Sequence, residues 1–171
     1  MTTQKSHIIA AFACAGKSIC AQKYPDLCLD LESTDYKYQY DYEFDDKENI
    51  KGALCRLPNP EFPENYVQAI CDQMLQYPLI LIAPDEEILA ELEWQHLPYD
   101  IVGPHPERAE EFAHNAQQRG NNPAFVRAVK FWTSEKCWKR LRRDFHPEHF
   151  DYLRDDEYLD GYLRRKYPKL F

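Results

Sequence analysis

The sequence predicts an α/β fold built on a central parallel sheet of about four or five strands. Three observations carry this expectation. Short apolar runs recur along the 171 residues, each followed by a stretch with helical spacing. The purest run, Leu79 to Ala83, is apolar throughout, as a strand covered on both faces requires. The first two runs, His7 to Phe12 and Leu27 to Glu32, are separated by just enough chain for a helix. Parallel strands need such a crossover, and it is right-handed almost without exception.

Taken in order, "HIIAAF" is the first strand and "ICAQKY" the first helix, stopped by Pro25. "LCLDLE" is the second strand and ends in acidic residues. Residues 35–48, "DYKYQYDYEFDDKE", alternate Tyr36, Tyr38, Tyr40, Tyr42 and Phe44 with polar residues. If extended, they present one aromatic face. An edge strand or covering loop, a base-stacking wall and a partner surface all remain open for it. After the proline-rich "PNPEFPENY", a helix starts at Glu64 or Asn65, with Val67, Ile70, Cys71, Met74 and Leu75 on its apolar stripe.

Beyond Leu79 to Ala83, "DEEILAELEWQHL" is a helix whose acidic first turn suits its dipole. "YDIVG", Tyr99 to Gly103, is a fourth strand. A polar helix then closes at Gly120, and Asn121 or Asn122 caps the next one. "SEKCWKRLRRDF" is a further helix with Trp138, Leu141 and Phe145 on one stripe, and the charged, tyrosine-rich tail is expected to be helical. The organisation is one domain over 1–171: a core at 7–103 with an insertion at 33–65, lid-like helices at 104–130 and a helical segment at 131–171.

The net charge of −8 disfavours bulk affinity for nucleic acid or anionic membranes. Residues 1–126 carry 9 Lys and Arg against 21 Asp and Glu, whereas residues 127–171 carry 12 against 8. The basic C-terminal part either meets phosphate or docks on the acidic remainder. No cysteine pair has C-x-x-C spacing, no signal sequence opens the chain, and no apolar run is long enough to span a bilayer. A cytoplasmic protein with reduced, mostly buried thiols is the expectation.

"AFACAGKS", Ala11 to Ser18, carries the chemistry. It fits the phosphate-loop pattern G-x-x-x-x-G-K-[ST] at Gly16, Lys17 and Ser18, with Ala11 at the first glycine position. Such a loop aims backbone N–H groups at phosphate from a helix start. The methyl of Ala11 costs little unless that backbone is left-handed. Cys14 is expected to be reactive, because loop amides and a helix start favour thiolate.

On these residues the chain resembles the P-loop kinases of the adenylate kinase and nucleoside monophosphate kinase group. It resembles more closely the small nucleotide-kinase-like proteins of bacteria and their phages. "AFACAGKS", "CLDLESTDY", "NPEFPENYV" and "YDIVGPHPERAEEFAHNAQQRGNNPAF" carry the resemblance over roughly residues 7–130. It implies a P-loop NTPase-type three-layer fold with a helical lid, ATP and Mg2+ as cofactors, and γ-phosphoryl transfer to a nucleotide or nucleoside-like acceptor. Carried over by position, Ala13, Cys14, Ala15, Gly16, Lys17, Ser18 and Ile19 hold the donor, and Ser18 serves the magnesium. Asp30 or Glu32 orients the metal's water or the acceptor hydroxyl. Arg108 and Arg119 close over the transferring phosphates, with Arg127 a weaker candidate.

The sequence departs from that pattern at Ala11 and Cys14, where glycines are expected, and in "LILIAPDEE", whose strand lacks a terminal carboxylate. The alternative is therefore a nucleotide-binding sensor or interaction module without turnover. His146 and His149 are spaced by three but lack further zinc ligands at a familiar spacing. "KRLRR" reads first as a solvated helix face, and His105 and His114 show no catalytic partner.

Overall fold

The structure is a computed structural model and describes residues 6–40 and 56–171. Strand β1 (His7–Ala11) leads through a loop into helix α1 (Lys17–Lys23), then β2 (Cys28–Asp30) and the short helix α2 (Thr34–Lys37). Strands β3 (Tyr38–Tyr40) and β4 (Arg56–Pro58) pair antiparallel. Helix α3 (Glu64–Gln73), strand β5 (Leu79–Ile82), helix α4 (Glu86–Trp94) and strand β6 (Tyr99–Pro104) follow. A 3-10 turn at Pro106–Arg108 opens α5 (Ala109–Gln118). Then come α6 (Pro123–Trp132), α7 (Glu135–Asp144), β7 (His149–Leu153) and α8 (Leu159–Lys166).

The central sheet has five strands in the order β2-β5-β1-β6-β7, all parallel. Alternation along β1 divides the core into two layers. Ile8, Ala10 and Phe12, with Ile80, Ile82 and Ile101, meet Tyr66, Ile70, Leu89 and Trp138 from α3, α4 and α7. Ile9, Ala11, Leu79, Leu81 and Val102 meet Cys20, Phe112, Val129 and Tyr162 from α1, α5, α6 and α8. Helices on both faces make this a three-layer α/β fold. Gly103 lets the chain pass close to Phe12, since a Cβ there would lie 2.4 Å from that ring. The Phe12 ring stacks on Trp138 at 4.8 Å.

Four strands fall where the apolar runs predict them. The fifth does not: the predicted helical segment at 131–171 contains β7, which pairs with β6 from Asp100↔His149 to Pro104↔Leu153. Its sequence, "HFDYL", is only partly apolar because β7 is an edge strand with a half-exposed outer face. The aromatic stretch is likewise not one extended face. Tyr36 lies in α2 and packs edge-on against Tyr66 at 5.2 Å, and Tyr38 and Tyr40 lie in β3. Tyr42 and Phe44 lie outside the described residues.

The predicted caps hold. Asn122 accepts from the Phe125 N–H, and Gly120 takes φ 77° after α5. The basic C-terminal part docks on the acidic part through Arg140–Glu86 and Lys130–Glu110. Among the described residues no helix is long and apolar enough to cross a membrane.

Candidate functional site

The carboxyl edge of a parallel sheet is where crossovers leave an open crevice, and the Ala11–Ser18 loop rises there from the central strand. Ala11 is still sheet, in register with Val102, so its methyl meets no left-handed backbone. Positive φ falls instead on Cys14 (62°) and Gly16 (108°). The first costs strain of roughly 1–2 kcal/mol for a residue with a Cβ. The second is free for glycine, and a Cβ at Gly16 would meet nothing within 4 Å.

The loop is held from three sides. Ala15 N–H donates to Phe12 O at 3.2 Å, Phe12 N–H to Val102 O at 3.1 Å, and Leu159 N–H to Ala15 O at 2.9 Å. The first bond of α1 runs from Cys20 N–H to Gly16 O at 3.0 Å. The N–H groups of Lys17, Ser18 and Ile19 therefore precede any intrahelical acceptor.

Lys17 folds back over the loop. Its Nζ donates to Ala11 O at 2.7 Å and Phe12 O at 3.2 Å. Burial pushes its pKa below the ordinary lysine value, while Asp30 and Glu32 pull it up. Ser18 Oγ donates to Asp30 Oδ2 at 2.6 Å. Glu32 accepts from Thr34 Oγ1 at 2.8 Å. Tyr66 Oη donates to Leu31 O at 2.6 Å and fixes the backbone between the two acids. The structure thus brings together Lys17, Ser18, Asp30 and Glu32 from two segments.

Arg119, just past α5, is exposed and stands beside the Cys14 thiol. With Ala15, Gly16, Ile19, Asn115 and Tyr158 they line a hollow of about 370 Å³. Burial pushes the Cys14 thiol above the ordinary cysteine range, against the pull of Arg119 and Lys17. This corrects the expected reactive thiolate: desolvation outweighs the two cations here.

Arg108 has a different post. It is 8 % exposed, and its Nε and Nη2 grip Glu111 at 2.8 and 2.7 Å. Its Nη1 donates to Arg154 O and Glu157 O at 2.7 and 2.9 Å. It lies over the Phe112 and Tyr158 rings, 5.2 and 5.4 Å from their centroids. The loop after β7 leaves carbonyls that need donors, and Arg108 supplies them. Its donors are committed inside the fold, so Arg108 is not free to close over a ligand. The expected lid helix is also a packed layer: α5 buries Phe112 and Ala116 against the sheet. Arg127 is exposed on α6.

Two wall residues have no signature in the sequence. Asn115 Nδ2 donates to Tyr158 Oη at 2.8 Å, and Tyr158 Oη donates to Glu111 Oε1 at 2.7 Å. Only the fold brings these groups, 43 or more residues apart, to one wall. Asp85, the acid nearest to the end of β5, caps α4 through the Glu87 N–H at 3.0 Å and pairs with Lys37 at 2.8 Å. The basic run on α7 is also engaged: Arg143 pairs with Asp144 at 2.6 Å and Arg142 lies over Trp138 and Tyr152.

No protein-family model matches the chain, and no curated protein matches it.

Proposed function

We propose that this protein binds ATP with Mg2+ on a P-loop and transfers the γ-phosphoryl group to a nucleotide or nucleoside-like small molecule. One observation carries the reading: Lys17, the free first-turn amides, and the Ser18–Asp30 pair at 2.6 Å converge at the end of the central strand. The strand order supports it. Counted along the chain, the parallel strands lie second, third, first, fourth, fifth, with the loop following the first.

The residues fit the cofactor. Open space over Gly16 leaves room for phosphate oxygens against the loop. The Lys17 ammonium, now on two loop carbonyls, is within the loop's reach and carries a charge that burial makes costly until an anion joins it. The Ser18 hydroxyl and the Asp30 carboxylate supply oxygen donors of the kind magnesium takes. When bound, the magnesium nucleotide supplies the transferable phosphoryl group. Lys17 and the amides hold its charge in place, Asp30 or Glu32 accepts the acceptor hydroxyl's proton or hydrogen-bonds to it, and Arg119 offers an exposed cation beside the hollow.

The second reading is a nucleotide-binding module without turnover. It is favoured by β5, which ends in Ile82 with no carboxylate, and by Asp85, whose side chain is spent on a cap and on Lys37. The protein is mixed with ATP, magnesium and a panel of nucleosides and monophosphates, and ADP is measured. Acceptor-dependent ADP that disappears in Lys17→Ala supports the kinase. ATP binding without acceptor-dependent ADP moves the protein to the second reading.

A further inference from the structure

At the amino edge of the sheet, opposite the Ala11–Ser18 loop, three metal-ligating side chains converge. The parallel register of β6 and β7 sets Asp100 opposite His149. Glu148 is the neighbouring residue, and its N–H is held by Tyr99 O at 2.8 Å. One ligand atom from each of Asp100, Glu148 and His149 lies within 4.8 Å of the other two. His149 Nδ1 stands 2.8 Å from Asp100 Oδ1. That is a hydrogen-bond distance, and a small parting of the two side chains would open it to the roughly 3.3 Å between donors on a tetrahedral ion with bonds of about 2.0–2.1 Å. The exposed Glu148 places a carboxylate oxygen within 4.8 Å of both.

Two further features mark a built site. Asp100 Oδ2 accepts from Tyr167 Oη at 2.9 Å, the kind of outer contact that orients a ligating carboxylate. The Tyr167 ring lies 4.5 Å from the His7 ring. Asp100 is 4 % exposed, yet neither His149 nor Tyr167, which take its two oxygens, carries a fixed positive charge. Nearby Lys166 is engaged with Asp151 at 3.0 Å, and Asp151 also accepts from Tyr162 at 2.7 Å. A buried carboxylate calls for a positive partner.

We infer that Asp100, Glu148 and His149 form a binding site for a divalent transition-metal ion, with zinc the best match to one imidazole and two carboxylates. Water completes the coordination. The ion sits between β6 and β7 and, through Tyr167, ties down the end of α8. Its role is structural, and it does not depend on the function proposed for the loop.

The test is a titration of the full chain with Zn2+ against a chromophoric competitor near neutral pH. One zinc per chain is expected. His149→Ala and Glu148→Gln change exposed residues and leave the core intact, and each weakens zinc binding by about 10-fold or more. Tyr167→Phe weakens it in the same direction without removing a ligand. Zinc raises the thermal midpoint of the wild type but not of His149→Ala. Asp30→Asn, at the other edge, leaves zinc affinity unchanged. Unchanged affinity in both ligand variants identifies adventitious binding at other side chains and overturns the site. A midpoint that does not respond to zinc leaves only the His149–Asp100 hydrogen bond and overturns it equally.

Discussion

The two ends of α5 each carry an arginine, and the fold uses them in opposite ways. Arg108, at the N-terminal end, is buried and bonded to Glu111 and to two carbonyls of the loop after β7. Arg119, at the C-terminal end, is exposed at the rim of the hollow beside Cys14. In the sequence they look alike: basic residues flanking one polar helix. The difference teaches that a guanidinium is assigned by what the distant chain leaves unsatisfied. The carbonyls of Arg154 and Glu157 capture Arg108, whereas Arg119 stays at the surface beside Cys14.

This contrast is sharpest in stability. Arg108→Ala strips donors from two carbonyls and a partner from Glu111, and is expected to cost about 2–3 kcal/mol. The lower part of the range for broken pairs applies, since Glu111 is 41 % exposed. Arg119→Ala is expected within about 0.5 kcal/mol of wild type. Denaturant unfolding of both variants checks this, and equal losses would erase the distinction.

A smaller effect concerns the loop that Arg119 overlooks. Cys14→Gly and Cys14→Ala both remove the thiol, but only glycine is at ease at φ 62°. The glycine variant is expected to be the more stable of the two by about 1 kcal/mol. Equal midpoints would show that the loop stores no strain at this residue.

The smallest expected effect is a change of slope in acid. The Arg108 guanidinium holds the Glu111 carboxyl below its ordinary 4.5, so its stabilisation is full above that pH. It is lost as pH falls through the lowered folded value. Stability measured downward from about pH 5 therefore falls less steeply in Arg108→Ala than in wild type, while Arg119→Ala keeps the wild-type slope. Parallel curves for all three would remove Arg108 from that titration.

Much of the scaffold was legible because burial on both faces leaves a plain mark. Leu79 to Ile82 and Ile8 to Ala11 carry no polar residue, so a covered parallel strand was the natural reading. β7 escaped because an edge strand needs only one apolar face, and His149, Asp151 and Tyr152 resemble the charged tail around them. Asp100 gave no warning either, since its partners His149 and Tyr167 lie 49 and 67 residues away.

In the candidate site, Lys17, Ser18 and Asp30 were legible from a strand, a G-K-S and an acidic strand end. Their local spacing survives folding almost unchanged. The role of Arg108 was not legible, because it is set by carbonyls 46 and 49 residues downstream. Cys14 was misread in its chemistry rather than its place, since burial is a property of the folded loop and not of its sequence.

The central claim is that the Ala11–Ser18 loop seats a magnesium nucleotide on Lys17. Calorimetric titration of Mg–ATP into wild type, Lys17→Ala and Arg119→Ala tests it most directly. The account predicts one site in the wild type, a loss of about 10-fold or more in Arg119→Ala, and a larger loss in Lys17→Ala. An absence of binding to the wild type, or equal affinity in wild type and Lys17→Ala, would contradict it.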